Sequence, residues 1–158
     1  MGVSGAGKST VGVALARRLD VAFADADAFH PPANIAKMSA GTPLDDDDRH
    51  PWLAAAGQWL AAHGGGVLSC SALKRRYRDQ LRSHRADIEF LHLTGSPELV
   101  ARRHAGRSAH FMPASLVASQ FEALEPLGAD ERGMAIDVGQ SVEAIVATFV
   151  QYLELRPL

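Results

Sequence analysis

The sequence contains little of what marks several large classes of protein. Its 158 residues include one cysteine, Cys70, which excludes an internal disulfide and leads us to expect a cytoplasmic location. Aromatic residues account for only 6%, and no apolar run approaches the roughly 18 residues of a membrane-spanning helix. Positive charge is not in excess, since 16 Lys and Arg stand against 18 Asp and Glu. We therefore expect neither a nucleic-acid partner nor a membrane partner.

The remaining composition is that of a globular protein, 47% hydrophobic and 22% charged, and the length predicts one domain over residues 1–158. Val11, Leu15 and Leu19 recur at four-residue steps, which predicts a helix directly after the N-terminal glycines. Strands are predicted at 21–25, 67–71, 88–94 and 134–138, and helices at 31–40, 51–63, 72–84, from 97 onward, 114–124 and 141–155. This alternation favours a three-layer α/β fold, a parallel sheet with helices on both faces.

The first ten residues carry the clearest functional signal, the spacing G-x-x-x-x-G-K-S of a phosphate-binding loop. Glycines let backbone N–H groups turn inward around a phosphate, and the following helix points the positive end of its dipole at the anion. Lys8 is predicted to reach the β- and γ-phosphates and to be catalytic, and the Ser9 hydroxyl is predicted to coordinate Mg²⁺. The residues predicted to bind ATP in this loop are Gly2, Val3, Ser4, Gly5, Ala6, Gly7, Lys8, Ser9 and Thr10.

A phosphate loop normally follows a buried strand, but only Met1 precedes Gly2. A strand of about 5–6 residues buries three or four apolar side chains, which contribute about 5–10 kcal/mol. That is comparable with the whole stability of a domain, about 5–15 kcal/mol. We therefore predict that the first strand of the sheet is missing and hypothesise that the natural protein starts upstream. A longer chain that is no more stable to heat would contradict this hypothesis.

Two aspartates follow the predicted strand at 21–25, at the edge where open α/β sheets bind ligands. Asp25 is predicted to hold a water on Mg²⁺, since hard cations favour oxygen ligands. Asp27 is predicted to accept the proton of an attacking hydroxyl. The alternative is an acidic turn with two solvated side chains. The four acids at 45–48 are instead predicted to solvate a loop and to cap a helix N-terminus.

The sequence resembles the bacterial gluconate kinases (gluconokinases), which are small phosphate-loop kinases. The resemblance spans almost the whole chain in the right order, and its CSALK and HP…NI…KM blocks are far more specific than the phosphate loop. The matching stretches are 2–10 (GVSGAGKST), 25–31 (DADAFHP), 34–38 (NIAKM), 41–44 (GTPL), 46–53 (DDDRHPWL), 70–79 (CSALKRRYRD), 110–113 (HFMP), 119–122 (SQFE) and 124–126 (LEP). The resemblance implies ATP-dependent phosphorylation of D-gluconate to 6-phospho-D-gluconate, with ATP and Mg²⁺, in a homodimer.

Four basic residues are assigned roles on the strength of this resemblance. Arg103 and Arg107 lie four residues apart and share a helix face. By similarity to small phosphate-loop kinases, Arg103 stacks on adenine, and Arg107 closes over the phosphates and stabilises the transferring group. Two solvated surface arginines are the alternative. Lys74 and Arg78, one helical turn apart, are the first candidates for contacts with the carboxylate or hydroxyls of gluconate.

Three further side chains are weaker candidates for binding the substrate, namely His30, His110 and Gln120. A lid is predicted at about 104–113, with Gly106 as its hinge, to keep water from competing as acceptor. The chain reads RSAH at 107–110, where the family usually has a Lys-Gly or similar pair before the histidine. We therefore expect this difference from the family to lower the turnover rate before it abolishes ligand binding.

Three other functions remain open from the sequence. The first is another small-metabolite kinase, of the shikimate type or for a related sugar acid. The second is a non-catalytic nucleotide-binding module that lacks its first strand. The third is a phosphate-loop hydrolase, which the pair Asp25 and Asp27 disfavours because it suits activation of a hydroxyl better than positioning of a water.

Overall fold

The computed structural model describes residues 1–105 and 115–157. These residues contain four short parallel strands and seven α-helices, joined by loops and one 3₁₀ helix. The strands are β1 (Phe23–Asp25), β2 (Val67–Ser69), β3 (Phe90–Thr94) and β4 (Gly133–Asp137). The helices are α1 (Lys8–Leu19), α2 (Pro32–Ser39), α3 (Asp46–Ala62), α4 (Arg75–His84), α5 (Pro97–Ala105), α6 (Ser115–Ala123) and α7 (Val142–Glu154). Among these helices, none combines the length and the apolar character needed to cross a membrane.

The strands form two parallel pairs where the sequence predicts one sheet. β1 pairs with β2, so that Phe23 lies opposite Val67, and β3 pairs with β4, so that Phe90 lies opposite Gly133. β1, β2 and β3 are each two residues shorter than predicted, whereas β4 has the predicted length and begins one residue earlier. The parallel arrangement predicted from the alternation of strands and helices is confirmed.

Met1 and Gly2 lie between the two pairs and connect them. The Gly2 N–H donates to the Ser71 carbonyl at 3.2 Å, just beyond β2. On the other side, the Leu93 N–H of β3 donates to the Met1 carbonyl at 2.9 Å. Within the described ranges the phosphate loop is preceded only by Met1, which with Gly2 lies between β2 and β3.

The core lies on both faces of the strands, because successive side chains of a strand point to opposite sides. Leu91 and Leu93 of β3 belong to an apolar cluster with residues of α1 and α7, which include Val11, Leu15, Ile145 and Phe149. Phe90 belongs to a second cluster with residues of α3 and α4, which include Trp52, Leu53, Tyr77 and Leu81. Helices therefore cover both faces, and the predicted three-layer α/β architecture is confirmed.

Helix α3 begins at Asp46, five residues before the predicted start at 51. Asp45 caps it: its side chain accepts from the Asp48 N–H, while the Asp48 side chain accepts from the Asp45 N–H at 3.0 Å. This reciprocal cap allows the first turn to form ahead of Pro51, which lies inside the helix and lacks a backbone donor. The capping role predicted for the acids at 45–48 is confirmed.

Candidate active site

The phosphate loop wraps around the start of α1. Gly5 and Gly7 have φ values of 85° and 91°, in the left-handed region that side chains disfavour, and Gly7 caps the helix. A Cβ at Gly2 would lie 2.8 Å from the Leu93 carbonyl oxygen, so only glycine fits that close approach. The Lys8 Nζ donates to the Val3 carbonyl at 3.0 Å, which folds the side chain back over the loop. The positive end of α1 therefore points at a backbone cradle shaped for a phosphate.

The other residues of the loop have separate environments. Val3 and Ala6 are buried in the first core cluster, and Thr10 is exposed on α1. Ser4 is buried, and its N–H donates to the Gln120 Oε1 of α6 at 2.6 Å. Gln120 therefore contacts the phosphate loop, and its predicted contact with a substrate stays a prediction.

Ser9 and Asp25 meet at the end of β1. The Ser9 Oγ donates to the Asp25 Oδ2 at 2.8 Å, which brings the first turn of α1 against the strand end. A hydroxyl and a carboxylate are the oxygen donors that Mg²⁺ favours, and this ion usually takes one or two protein ligands together with water and substrate phosphates. The donor set fits the ion. The described residues contain no group of three or more His, Cys, Asp and Glu side chains that could hold a metal ion.

Asp27 lies two residues after Asp25, in the first turn of a 3₁₀ helix over Ala26–Phe29 that Asp25 caps. The backbone N–H of Asp27 donates to the Asp25 Oδ1 at 2.9 Å, which fixes the Asp25 carboxylate against the backbone of Asp27. Burial and the neighbouring Asp25 charge raise the pKa of Asp27, and Lys8 partly opposes them. The side chain remains 45% exposed, so the carboxylate is open to a ligand. A carboxylate with a raised pKa beside a phosphate cradle suits a general base.

His30 lies directly behind Asp27. Its Nε2 is 4.0 Å from the Asp27 Oδ1, and its ring stacks on Trp52 with 4.2 Å between the ring centroids. Asn34 reaches the His30 Nδ1 at 3.3 Å. Burial, and then the nearby Arg49 charge, lower the pKa of His30 to about 4, with Asp25 opposing them. The imidazole is therefore neutral at neutral pH.

A polar cluster joins α3 to the start of α4, and sequence reasoning did not identify most of it. The Tyr77 hydroxyl donates to Asp46, and the Arg49 Nη1 lies 3.3 Å from that hydroxyl. The Lys74 Nζ is 3.4 Å from the Asp46 Oδ1. Both cations lie over the Tyr77 ring, at 5.3 Å for Arg49 and 5.7 Å for Lys74. Arg49 and Tyr77 stand in the stretches that resemble gluconokinases, and this was the available signal.

Arg78 requires a correction, because its side chain is fully buried and cannot contact a substrate. It forms a two-bond ion pair with Glu131, with its Nε at 2.7 Å and its Nη2 at 2.8 Å from the carboxylate oxygens. Its remaining donors reach the carbonyls of Ala72, Leu73, Glu125 and Pro126. Burial alone would raise the pKa of Glu131, but hydrogen bonds from Arg78, the Gly128 N–H and Arg82 together lower it to about 2. Arg78 therefore ties α4 to the segment before β4.

The remaining candidates lie further along the chain. Arg103 is on the exposed side of α5, and its Nη2 donates to the Val138 carbonyl at 2.9 Å, just past β4. Its stacking on adenine stays a prediction. Arg107, His110, the hinge Gly106 and most of the lid predicted at about 104–113 lie outside the described residues. Cys70 is buried, which raises the pKa of its thiol to about 11, as expected for a packing residue.

Comparison with known proteins shows the family of the chain. A family profile described as "Shikimate kinase" matches residues 4–154. A gluconokinase of Gluconobacter oxydans (strain 621H) is 46% identical to the chain over 98% of the chain and 89% of that protein. The chain belongs to the gluconokinase branch of the shikimate kinase family. The predicted resemblance to gluconokinases is therefore confirmed.

Two solved kinase structures have the same fold. A gluconokinase from Sinorhizobium meliloti 1021 is 46% identical, with a TM-score of 0.86 over 99% of this chain and 95% of that one. A sugar kinase from Janibacter sp. HTCC2649 is 44% identical, with a TM-score of 0.92 over 99% of this chain and 93% of that one. The predicted phosphate-loop kinase fold is confirmed by both.

Proposed function

We propose that this chain is a gluconokinase, which transfers the γ-phosphoryl group of ATP to D-gluconate and forms 6-phospho-D-gluconate and ADP. One observation carries the proposal: a carboxylate with a raised pKa, Asp27, is held by the backbone beside the Ser9–Asp25 pair at the mouth of a phosphate loop. The similarity to gluconokinases over nearly the whole chain supports the choice of substrate.

The transfer replaces one P–O bond by another. The primary hydroxyl oxygen of gluconate bonds to the γ-phosphorus, the bond from that phosphorus to the bridging oxygen of ADP breaks, and the hydroxyl proton passes to an Asp27 carboxylate oxygen. Ser9 and Asp25 would hold Mg²⁺, which supplies positive charge to the phosphates. The loop amides and Lys8 bind the phosphates and orient the γ-phosphoryl group toward Asp27.

His30 is a positioning residue in this proposal. It is neutral at neutral pH and packed between Trp52 and Asn34, so it lies against Asp27 without neutralising the charge of the base. His30 therefore packs against Asp27 as an uncharged neighbour.

The carboxylate of gluconate requires a cation, and two lie over the Tyr77 ring. Lys74 and Arg49 lie over the Tyr77 ring, where either cation can bind a carboxylate. Beside them, the Asp46 carboxylate can accept hydrogen bonds from substrate hydroxyls, and the Tyr77 hydroxyl can donate or accept them. We propose Lys74 and Arg49 as the carboxylate-binding residues. Arg103 on adenine, and Arg107 and His110 in the lid, remain part of the proposal, as do a cytoplasmic location and a homodimer.

Shikimate is a second candidate substrate, because the matching family profile bears the description "Shikimate kinase". Both substrates carry a carboxylate and hydroxyls, so the same cations and the same base would serve either one. The identities of 40–46% to gluconokinases favour gluconate.

An assay of ADP release distinguishes these functions. The purified chain is incubated with MgATP and each of a panel of acceptors that includes gluconate, related sugar acids and shikimate. Gluconate-dependent release supports the proposal, and shikimate-dependent release supports the second candidate. Release without an acceptor indicates a hydrolase, and nucleotide binding without release indicates a non-catalytic module.

A pair of variants tests whether the activity belongs to the phosphate loop. Lys8→Ala removes the cation that contacts the phosphates and should abolish transfer. Arg17→Ala removes an exposed cation from the last turn of the same helix and should retain the rate. Equal rates in the two variants would contradict the proposed phosphate site.

A further inference from the structure

The buried side chain of Asn34 connects a backbone carbonyl of α3 to the ring of His30. The Asn34 Nδ2 donates to the Asp48 carbonyl oxygen at 2.9 Å, and the same nitrogen lies 3.3 Å from the His30 Nδ1. Asn34 is on α2 and Asp48 is in the first turn of α3, so the amide bridges the two helices. A buried amide requires hydrogen-bond partners, and these two atoms are placed to supply them.

The chemistry of these groups determines which nitrogen of His30 carries the hydrogen. A backbone carbonyl only accepts, so the Asn34 atom that faces the Asp48 carbonyl must be the amide nitrogen and not the amide oxygen. This nitrogen donates two hydrogens and accepts none, so the His30 Nδ1 beside it must accept. A neutral imidazole has one accepting nitrogen and one N–H. The neutral His30 ring therefore carries its hydrogen on Nε2.

The charge and the plane of the His30 ring are also fixed by its surroundings. Burial, and then the Arg49 charge, lower the pKa of His30 to about 4, with Asp25 opposing them, so the ring is neutral at neutral pH. The ring stacks on Trp52 with 15° between the two planes, and the Trp52 Nε1 donates to the Ala26 carbonyl at 2.6 Å. Because Ala26 directly precedes Asp27, the ring is held relative to the turn that carries this carboxylate.

We propose that Asn34 is a positioning residue, which holds the neutral His30 ring with its Nε2–H toward the Asp27 carboxylate. The Nε2 lies 4.0 Å from the Asp27 Oδ1, about 1 Å longer than a direct hydrogen bond. Catalytic hydrogen bonds of this length often shorten when substrate is bound. An N–H on this side attracts the carboxylate, whereas a bare nitrogen would direct a lone pair at it and repel it. The effect on catalysis rests on the proposed role of Asp27 as base, and the position of the ring hydrogen does not.

The first test reads the position of the hydrogen on the ring by long-range ¹H–¹⁵N NMR at neutral pH, which separates bare from protonated ring nitrogens. The signals of His30 are assigned by their loss in His30→Gln. The wild type should show a bare Nδ1 and a protonated Nε2. Asn34→Asp should protonate Nδ1, because the new carboxylate accepts and cannot donate. Lys37→Met is the matched control: it removes the neighbouring 2.7 Å bond from α2 to Asp48 and should leave the His30 signals unchanged.

The second test reads the effect on Asp27 through steady-state kinetics. Asn34→Asp should lower kcat with gluconate about 10–100-fold, the usual effect of removing a partner that sets a histidine tautomer, and leave the KM for ATP unchanged. Protonation of Nδ1 leaves either a bare Nε2 that repels the Asp27 carboxylate or a charged ring that neutralises it. Both states weaken the base without changing the phosphate loop.

Several results would overturn the proposal. A protonated Nδ1 in the wild type, or a bare Nδ1 in Asn34→Asp, means that Asn34 does not set the tautomer. An unchanged kcat in a variant whose Nδ1 is protonated means that the tautomer does not act on Asp27, and this result leaves the base itself in place.

A second variant covers the case in which the new carboxylate prevents folding. Asn34→Leu removes the donor without adding charge, so the ring should exchange between its two neutral tautomers and average its two nitrogen signals. Signals that match the wild type would contradict the role of Asn34. The ring signals are read whether or not the chain phosphorylates gluconate, so a failure of the proposed function appears separately, in the ADP-release assay.

Discussion

The Ser9 hydroxyl donates to the Asp25 carboxylate at 2.8 Å, across a sequence separation of 16 residues. The bond joins the first turn of α1 to the end of β1, so it closes the phosphate loop against the sheet edge. Both groups bind Mg²⁺ in the proposed function, and their contact holds the two oxygens together before any ligand arrives.

Asp25→Asn should weaken the apparent affinity for Mg²⁺ by about 10–100-fold, because it removes a charge from the oxygen pair that orients the ion. The measurement is a Mg²⁺ titration of the rate at saturating ATP and gluconate. Asp20→Asn is the matched control: this exposed residue caps α1 in a left-handed conformation that asparagine tolerates. An unchanged Mg²⁺ dependence in Asp25→Asn would remove Asp25 from the metal site.

Asp27→Asn should lower kcat by about 10²–10⁴-fold and leave the KM for ATP nearly unchanged, since it removes a base without touching the cradle. The thermal midpoint should stay the same or rise, because the raised pKa means that the folded state disfavours the charged carboxylate. Asp47→Asn, on the exposed first turn of α3, is the control. A parallel loss of ATP affinity, or of stability, would indicate a structural role for Asp27.

The acid limb of kcat/KM should lie above the ordinary aspartate pKa of 3.8, because burial and Asp25 raise the pKa of Asp27. The sign is fixed by the mechanism: the base works when ionised, so the rate falls as the pH falls through this raised pKa. His30 adds no second limb near neutrality, since its pKa is lowered to about 4. A pH–rate profile at saturating Mg²⁺ measures the position of this acid limb. A limb centred near neutral pH, where an ordinary histidine titrates, would contradict both expectations.

Arg78→Met should destabilise the fold by about 3–5 kcal/mol, because it leaves the Glu131 carboxylate buried without its main partner. Denaturant unfolding measures this loss. Arg76→Met removes a neighbouring arginine whose side chain is 66% exposed and should cost less than about 1 kcal/mol. At a temperature where Arg78→Met is folded, its KM for gluconate should match the wild type. A raised KM with normal stability would restore the substrate role that the burial of Arg78 excludes.

Lys74→Met should raise the KM for gluconate about tenfold or more and leave the KM for ATP unchanged, because it removes a charge-assisted bond to the carboxylate. Steady-state kinetics with each substrate varied in turn measure the two constants. Arg85→Met, a cation at the far end of α4, serves as the control. An increase in both KM values would mean that Lys74 acts on the whole site rather than on the sugar acid.

Local signals explain why much of the site was predictable. The loop at Gly2, Gly7 and Lys8 was predictable because glycine conformations and a helix start depend on a few neighbouring residues. Asp25 and Asp27 were predictable because they stand at the end of an apolar run, which indicates the end of a strand at the sheet edge. Arg78 was assigned wrongly for the opposite reason. Its partner, Glu131, lies 53 residues away and follows no pattern, so nothing in the local sequence shows that the guanidinium is buried.

Long-range contacts also account for the sites that sequence reasoning missed. Arg49 and Tyr77 belong to α3 and α4, whose packing brings Asp46, Lys74 and both side chains together. The helix start at Asp46 was predicted late because Pro51 suggests a first-turn position, whereas the cap between Asp45 and Asp48 sets the start. The predictions for Arg103, Arg107 and His110 stay predictions.

By itself, the sequence determined the alternation of strands and helices, the phosphate loop at residues 2–9, the acidic pair behind β1 and the membership of the gluconokinase branch, because each depends on residue types at short spacing. Only the tertiary structure decided that Arg78 supports the fold, that Arg49 and Lys74 lie over one tyrosine ring, and that the strands form two pairs. These features depend on which distant segments pack together, and the free energy that selects that packing comes from burial summed over the whole chain.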